Sequence, residues 1–424
     1  MRYWFIIKLK DNVKRIYIIL GMVLLLPFAF HHSPLSAQNL TSSPYSRYAY
    51  GDLNENVPTA YRSMGGVGFG MRNNKAINPS QPASYTSCDS LTFMMDVAAS
   101  VNWSRYQDAT GQRNKANGSL EYVTIQIPLW KRWIAMSVGL LPYSSVGYAI
   151  NLEGETDGGD YQYNQTYEGS GNISEVYGGL SFNVLNWFAA GLNVYYMWGD
   201  LNRMRTLVFT QSGLNPTVQD EILSVNSVRL RYGAQLFHTW GKHSFTAGAI
   251  FESRMKLNSD YVLIETQTLD SLDIYQDGWQ LPMVWGVGAS YTWDNRLTLA
   301  FDYERQCMAS MLYNGLPGHY NGLQDRNRFA FGMEYRHNPL GRRYVDQVRW
   351  RLGASMQDEY LTTIGAKRIT AAIGVGLPLS TAGTMVNTTV EYSHRGKTSG
   401  LEEHALRLTI GVSISENWFF KRKL

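Results

Sequence analysis

The chain has 424 residues, 44% hydrophobic, 17% charged and 13% aromatic, with 39 glycines and 13 prolines. That composition excludes intrinsic disorder and collagen-like structure. The formal charge of +4 is an N-terminal matter, because residues 1–37 hold Arg2, Lys8, Lys10, Lys14 and Arg15 against Asp11 alone, and the remainder balances at 33 basic and 33 acidic residues. A balanced chain has no electrostatic footprint for nucleic acid, so no nucleic-acid partner is expected.

Residues 1–37 read as a secretory signal peptide. A basic stretch ending at Lys14-Arg15 precedes an apolar run from Ile16 to Phe30, and small residues Ser36-Ala37 then precede Gln38. The apolar run is shorter than the ~20 residues that a membrane-spanning helix needs, and no later stretch approaches one. Export leaves a large soluble protein or an outer-membrane β-barrel.

Residues 38–89 contain Ser43-Pro44-Tyr45-Ser46-Arg47-Tyr48, a glycine run Met64-Gly65-Gly66-Val67-Gly68-Phe69-Gly70, and Asn78-Pro79-Ser80-Gln81-Pro82. Small, polar and turn-forming side chains over so short a length make a poor independent core. The segment is the right size to plug a barrel lumen. A phosphate cradle is the competing reading of the glycines, but no Gly-Lys-Ser/Thr and no βαβ unit accompanies them.

From Leu91 onward the pattern has period 2. Leu91, Phe93, Met95, Val97, Ala99, Val101 and Trp103 alternate with Thr92, Met94, Asp96, Ala98, Ser100 and Asn102, and Leu406, Leu408, Ile410, Val412 and Ile414 alternate with Arg407, Thr409, Gly411 and Ser413. Fourteen such segments are expected, at 91–103, 118–129, 133–149, 172–184, 188–205, 222–237, 244–258, 280–293, 297–307, 326–337, 346–357, 367–378, 385–394 and 404–414. Connections after the even strands are short; those after odd strands, such as 150–171 and 259–279, are long and polar. An even count, strands close to the roughly 9–11 residues of a tilted membrane crossing, and alternating loop lengths define an all-β, 14-stranded antiparallel transmembrane barrel with both ends in the periplasm. The wall then covers residues 90–414, followed by a periplasmic tail at 415–424, and the lipids of the outer membrane surround it. Trp130, Trp133, Trp187, Trp240, Trp293 and Trp418 fall at the periplasmic ends, where an indole buries its ring and keeps its N–H wet.

The signal, the Arg62-Ser63-Met64-Gly65-Gly66 segment, Asn78-Pro79-Ser80 and the fourteen alternating strands together resemble the outer-membrane long-chain fatty-acid transporter (FadL-type) family. The resemblance implies passage of a hydrophobic small molecule through a plugged barrel, with Met64, Gly65, Gly66, Asn78 and Pro79 in the plug. It also implies a kinked third strand. Pro142 lies inside strand 3 and removes a ladder donor, and Gly139 and Gly147 loosen the backbone around it, so a lateral gap is expected there. Other members of the superfamily serve secretion systems and move no small hydrophobe, which keeps open a non-transporting barrel with an envelope protein partner.

Enzyme chemistry finds no support. The histidines His238, His243, His319, His337, His394 and His404 are scattered, and neither a His-Glu-x-x-His nor a Gly-x-Ser-x-Gly motif occurs. No cofactor is expected. His394 and His404 flank one outer loop together with Glu402 and Glu403, a group able to hold a metal but read first as solvated loop charge. The alternation points Asp96, Arg229, Arg231, Glu252, Asp302, Glu304, Arg328, Glu334, Arg336, Arg349, Arg351, Arg368, Glu391 and Arg407 into the lumen, because a bare charge facing lipid costs about 2–4 kcal/mol near the midplane. They read as an ion-pair network holding the plug, or, for Arg336, Arg349, Arg351 and Arg368, as a dock for a carboxylate headgroup. Cys88 and Cys307 fall at opposite ends of the wall, too far apart for a disulfide.

Overall fold

The structure is a computed structural model, which describes residues 41–417 apart from 110, 157–160, 212–213, 266–270, 273–277, 342, 363–364, 380–382 and 397–399. The expected signal peptide at 1–37, Trp418 and the end of the tail lie outside the described residues. Among the described residues no helix is long and apolar enough to cross a membrane.

Fourteen antiparallel strands form the wall. They are β1 (Thr92–Gln107), β2 (Gln112–Trp130), β3 (Ile134–Glu155), β4 (Gln162–Leu185), β5 (Phe188–Phe209), β6 (Thr217–Trp240), β7 (His243–Glu252), β8 (Met283–Trp293), β9 (Leu297–Cys307), β10 (Arg326–Arg336), β11 (Arg349–Asp358), β12 (Lys367–Pro378), β13 (Met385–Arg395) and β14 (Glu402–Asn417). Each pairs with the next, and β1 pairs with β14 from Thr92–Asn417 to Gln107–Glu402, which closes the barrel. Closure joins the first strand to the last, so the sheet has no free terminal edges, as crossing a bilayer with strands requires. On β10, Phe329, Phe331 and Tyr335 face outward and are exposed, while Arg328 and Ala330 face inward and are buried. Trp130, Trp187, Trp240 and Trp293 are exposed at the short turns, in keeping with an aromatic girdle.

The strands expected at 133–149, 172–184, 188–205 and 222–237 are longer than the alternation indicated, at 22, 24, 22 and 24 residues for β3 to β6. Much of the supposed 150–171 loop is a hairpin, with Glu155 paired to Gln162. Part of the supposed 259–279 loop, Ser259–Glu265, continues the sheet beside β6. These extensions exceed what a crossing needs, so both of their faces meet water and the apolar/polar contrast that reveals a membrane strand is absent. The strand expected to run to 258 stops at Glu252. β14 runs to Asn417, so the tail begins later than position 415.

The ladder between β2 and β3 is incomplete. It runs from Trp130–Ile134 to Val123–Leu140 and ends there. From Leu141 onward β3 keeps β4 as its partner, with a register shift between Pro142 and Ser144. On its other side it meets not β2 but the two-residue strand Asp52–Leu53, through Asp52–Ser145 and Leu53–Ser144. The wall therefore parts beside Pro142, and this chain's own N-terminal residues occupy the opening.

Cys88 and Cys307 are both free. Burial pushes the Cys88 thiol up. Maleimide is expected to label Cys307 alone in the folded barrel and both thiols after unfolding without reductant, as read by intact mass.

Candidate functional site

Residues 41–88 touch inward-facing side chains on strands all around the wall, and most are buried. After the 3-10 turn Pro44–Arg47, two short helices shape the segment, Thr59–Arg62 and the 3-10 helix Pro82–Ser87. Pro82 suits the second start because its missing N–H is an orphan there in any case. Gly65 and Gly66 have φ of +71° and +78°, and the Cβ that any other residue would add at Gly65 would lie 2.6 Å from the Ala354 carbonyl oxygen. Met64 is fully buried. Asn78 donates to the Gly68 carbonyl at 2.8 Å, and the Pro79 carbonyl accepts from Asn193 at 2.9 Å and from Tyr195 at 3.0 Å. Asp302 of β9 accepts the backbone N–H groups of Gly68 and Phe69 at 2.5 and 2.8 Å. The glycine run thus presents its N–H groups to a wall carboxylate.

Charged side chains fill the space between segment and wall. Arg62 reaches Glu121 of β2 at 2.9 Å and Glu391 of β13 at 3.6 Å. Arg229 of β6 pairs with Glu175 of β4 at 2.8 Å and with Glu252 of β7 at 2.9 Å, Arg231 also binds Glu252, and the Arg229 guanidinium lies 3.8 Å from the Tyr195 ring centre. Arg328 of β10 holds Glu55 at 3.0 Å. Burial opposes charge on Glu55, yet Arg328 and Arg62 hold its carboxyl below the ordinary value. A lowered carboxyl stabilises the folded form fully above its unfolded pKa, and that contribution is lost as pH falls through the lowered one. Hydrogen exchange at Val57 and the helix after it is therefore expected to stay slow at neutral pH and to rise only on acidification below about pH 4.

At the outer end, Arg395 of β13 contacts Asp52 at 3.1 Å, Glu359 at 2.9 Å and Glu403 at 3.4 Å, and stacks over Tyr45. Arg368 adds contacts to Asp52 at 3.4 Å and Glu359 at 3.6 Å. These groups fasten the stretch that sits in the β2–β3 opening. Across that opening the Ser42 hydroxyl lies 2.9 Å from the Asn117 amide of β2, and on the β3 side Gly147 donates its N–H to the Ser46 hydroxyl at 3.0 Å while Asn54 donates to the Tyr143 carbonyl at 2.9 Å. A Cβ at Gly139 would meet the Val123 carbonyl at 2.7 Å, where the last β2–β3 pairs close.

The four arginines expected to form one carboxylate dock do not converge. Arg349 and Arg351 both bind Glu334, at 2.8 and 2.7 Å, and Arg336 donates to the Pro339 carbonyl at 2.8 Å. Arg368 sits level with Arg395, towards the other end of β12 from Gly374, the partner of Arg351. Strand alternation placed all four inside the wall but carries no information about height along it. Alternation also missed Glu121, Glu175 and Arg395. Glu121 sits at a register shift between β1 and β2, which breaks the parity on which the reading depends, and Arg395 lies one residue past the expected end of its strand. Glu175 had the right parity and needed only to be counted.

Two cavities inside the barrel have volumes of about 90 and 100 Å³ and are bordered by Glu55, Arg229, Arg328 and Glu304, and by Arg62, Glu391, Arg395 and Arg407 respectively. Small-molecule sites are usually ~300–1,000 Å³ and mostly apolar. A third cavity of about 630 Å³ opens among the periplasmic turns, lined by polar groups such as Arg72, Asn73, Arg132 and Asn183.

The fold is that of solved outer-membrane channels. It matches the Pseudomonas putida toluene transporter TodX with a TM-score of 0.58 at 15% identity, over 87% of this chain and 100% of that one. For the Ralstonia pickettii toluene transporter TbuX the TM-score is 0.56 at 15% identity, over 85% and 98%. A Pseudomonas aeruginosa FadL homologue gives 0.53 at 13% identity, over 85% and 98%. At such identities the likeness is one of fold. No curated protein matches the sequence. A family model described as BamG matches residues 13–424.

Proposed function

This chain belongs to the BamG family, and we propose that it is an outer-membrane barrel that serves as a scaffold or attachment subunit of an envelope assembly instead of as a conduit. The observation that carries this reading is the filling of the lumen, where β2, β10, β12 and β13 are ion-paired to the N-terminal segment, further ion pairs join strands to one another, and the two cavities among them are small and charged. An apolar solute crossing such an interior would have to displace buried charge from its partners, at a cost of several kcal/mol per ion. In this reading the segment is a permanent plug. The second support lies in the strand extensions beyond the membrane, where Met204, Val208 and Ile264 share the outward face and are 36, 44 and 44% exposed on a surface that lipid does not cover. Exposed apolar groups at such a place are suited to a protein partner.

Passage of a hydrophobic, fatty-acid-like compound with lateral exit is the second reading, and the parted wall at Pro142 favours it. The two are separated by locking the segment in the opening. Leu53 and Ser144 are register partners, so Leu53→Cys with Ser144→Cys would join them by a disulfide. Proteoliposomes loaded with a fatty-acid-binding indicator and challenged with oleate or toluene should show no uptake, locked or unlocked. A photo-crosslinker in place of Val208 or Ile264 should, in the native membrane, give one discrete higher-mass product. Uptake that the lock abolishes would overturn the scaffold reading in favour of transport.

A further inference from the structure

The geometry points to a divalent metal site of the zinc type on the outer flank of the barrel, formed by His394, Glu402 and His404. It does not depend on whether the barrel conducts. His394 on β13 and His404 on β14 are direct register partners, and Glu402 stands two residues before His404, on the same face of its strand. That face is the outward one, shared with the exposed Tyr392 and Leu406. Two neighbouring strands therefore bring three donors from separate ends of a loop to one point.

The donor atoms are arranged as an ion would need them. His394 Nε2 is 2.8 Å and His404 Nε2 3.4 Å from the same Glu402 oxygen, and one ligand atom from each residue lies within 4.8 Å of the others. Ligands bound at roughly 2.0–2.1 Å in a tetrahedron stand roughly 3.3 Å apart, so a small closing of the imidazoles suffices. The two rings are 4.7 Å apart and inclined by 30°. Two imidazoles and a carboxylate with a fourth position left for water are a donor set of zinc sites.

A second layer is present as well. The Tyr392 hydroxyl lies 2.7 Å from His404 Nδ1, and the two rings stack. A partner on Nδ1 fixes the ring and leaves Nε2 as the coordinating atom, the role that outer groups play in metal sites. Arg105, the register partner of His404 on β1, turns its guanidinium to Gln112. Bound there, an ion would tie β13 to β14 at their outer ends.

The test uses full-length mature protein without a polyhistidine tag, stripped with EDTA in detergent and titrated with Zn²⁺ by calorimetry and with Co²⁺ by visible absorption. Expected are one Zn²⁺ per chain and the intense Co²⁺ bands of a four-coordinate site. His394→Gln with His404→Gln should abolish both signals, and Tyr392→Phe should weaken binding about 10-fold. His243→Gln and His319→Gln should leave binding unchanged. Retention of the heat-modifiable electrophoretic shift shows that each variant is folded. Absence of stoichiometric binding to the folded protein, or binding that survives the double substitution, overturns the site.

Discussion

Gly353→Val is expected to expel the N-terminal segment from the barrel while leaving the wall intact. A Cβ at Gly353 would lie 2.0 Å from the Met64 carbonyl carbon and 2.1 Å from the Gly65 nitrogen. Those are backbone atoms, which cannot rotate away as a side-chain end would. Its register partner Gly332 would place a Cβ 2.5 Å from Met64, and Gly374 one 2.4 Å from the Ser63 side chain. Glycines on β10, β11 and β12 thus form a smooth patch on which the segment rests. Overpacking a tight core costs about 1–3 kcal/mol where side chains are able to adjust, and backbone against backbone should reach the top of that range. The barrel ladders are not involved, so the folded electrophoretic band should persist. Trypsin should then cut at Arg62 or Arg72, which the wild type protects, and planar-bilayer conductance should rise from near zero to open steps. Gly178→Ala, at a position where a Cβ meets nothing within 4 Å, is the control. An unchanged digest and a silent bilayer for Gly353→Val would mean that the segment does not seal the lumen.

Arg229→Leu should produce a large loss of stability. Its guanidinium lies between Glu175, whose side chain is wholly buried, and Glu252. Removing it strands a carboxylate that no water reaches, and breaking a buried pair in this way costs about 3–5 kcal/mol. The expected result is a marked fall in the urea midpoint of the folded band. Arg229→Leu with Glu175→Leu should recover most of that loss, because the double change leaves no unpaired charge between them. The effect should persist in 1 M salt, since screening acts weakly on buried pairs. Additive losses in the double variant would contradict the network.

The sequence by itself determined the class, the strand number and the closure of this protein. Period-2 alternation such as that of Leu406 to Ile414 is imposed by lipid on one side and a polar lumen on the other, so it is written into every stretch that crosses the membrane. The same logic put Asp302, Arg328, Glu334 and Arg351 inside. Where lipid is absent the signal ends, and the outer extensions of β3 to β6 were legible only in the folded chain. Tertiary structure alone decided which inward charges meet. Facing is a local property of a strand, whereas the meeting of Arg229 with Glu175 depends on stagger around the closed sheet. The separation of Arg368 from Arg351 depends on height along β11 and β12. The occupant of the β2–β3 opening was equally hidden, because the pairing of Asp52 with Ser145 joins residues far apart in the chain, and no local pattern records which distant segment fills a vacant edge. His394, Glu402 and His404 stood close together in the sequence, and only the register of β13 on β14 turned that closeness into a shared point.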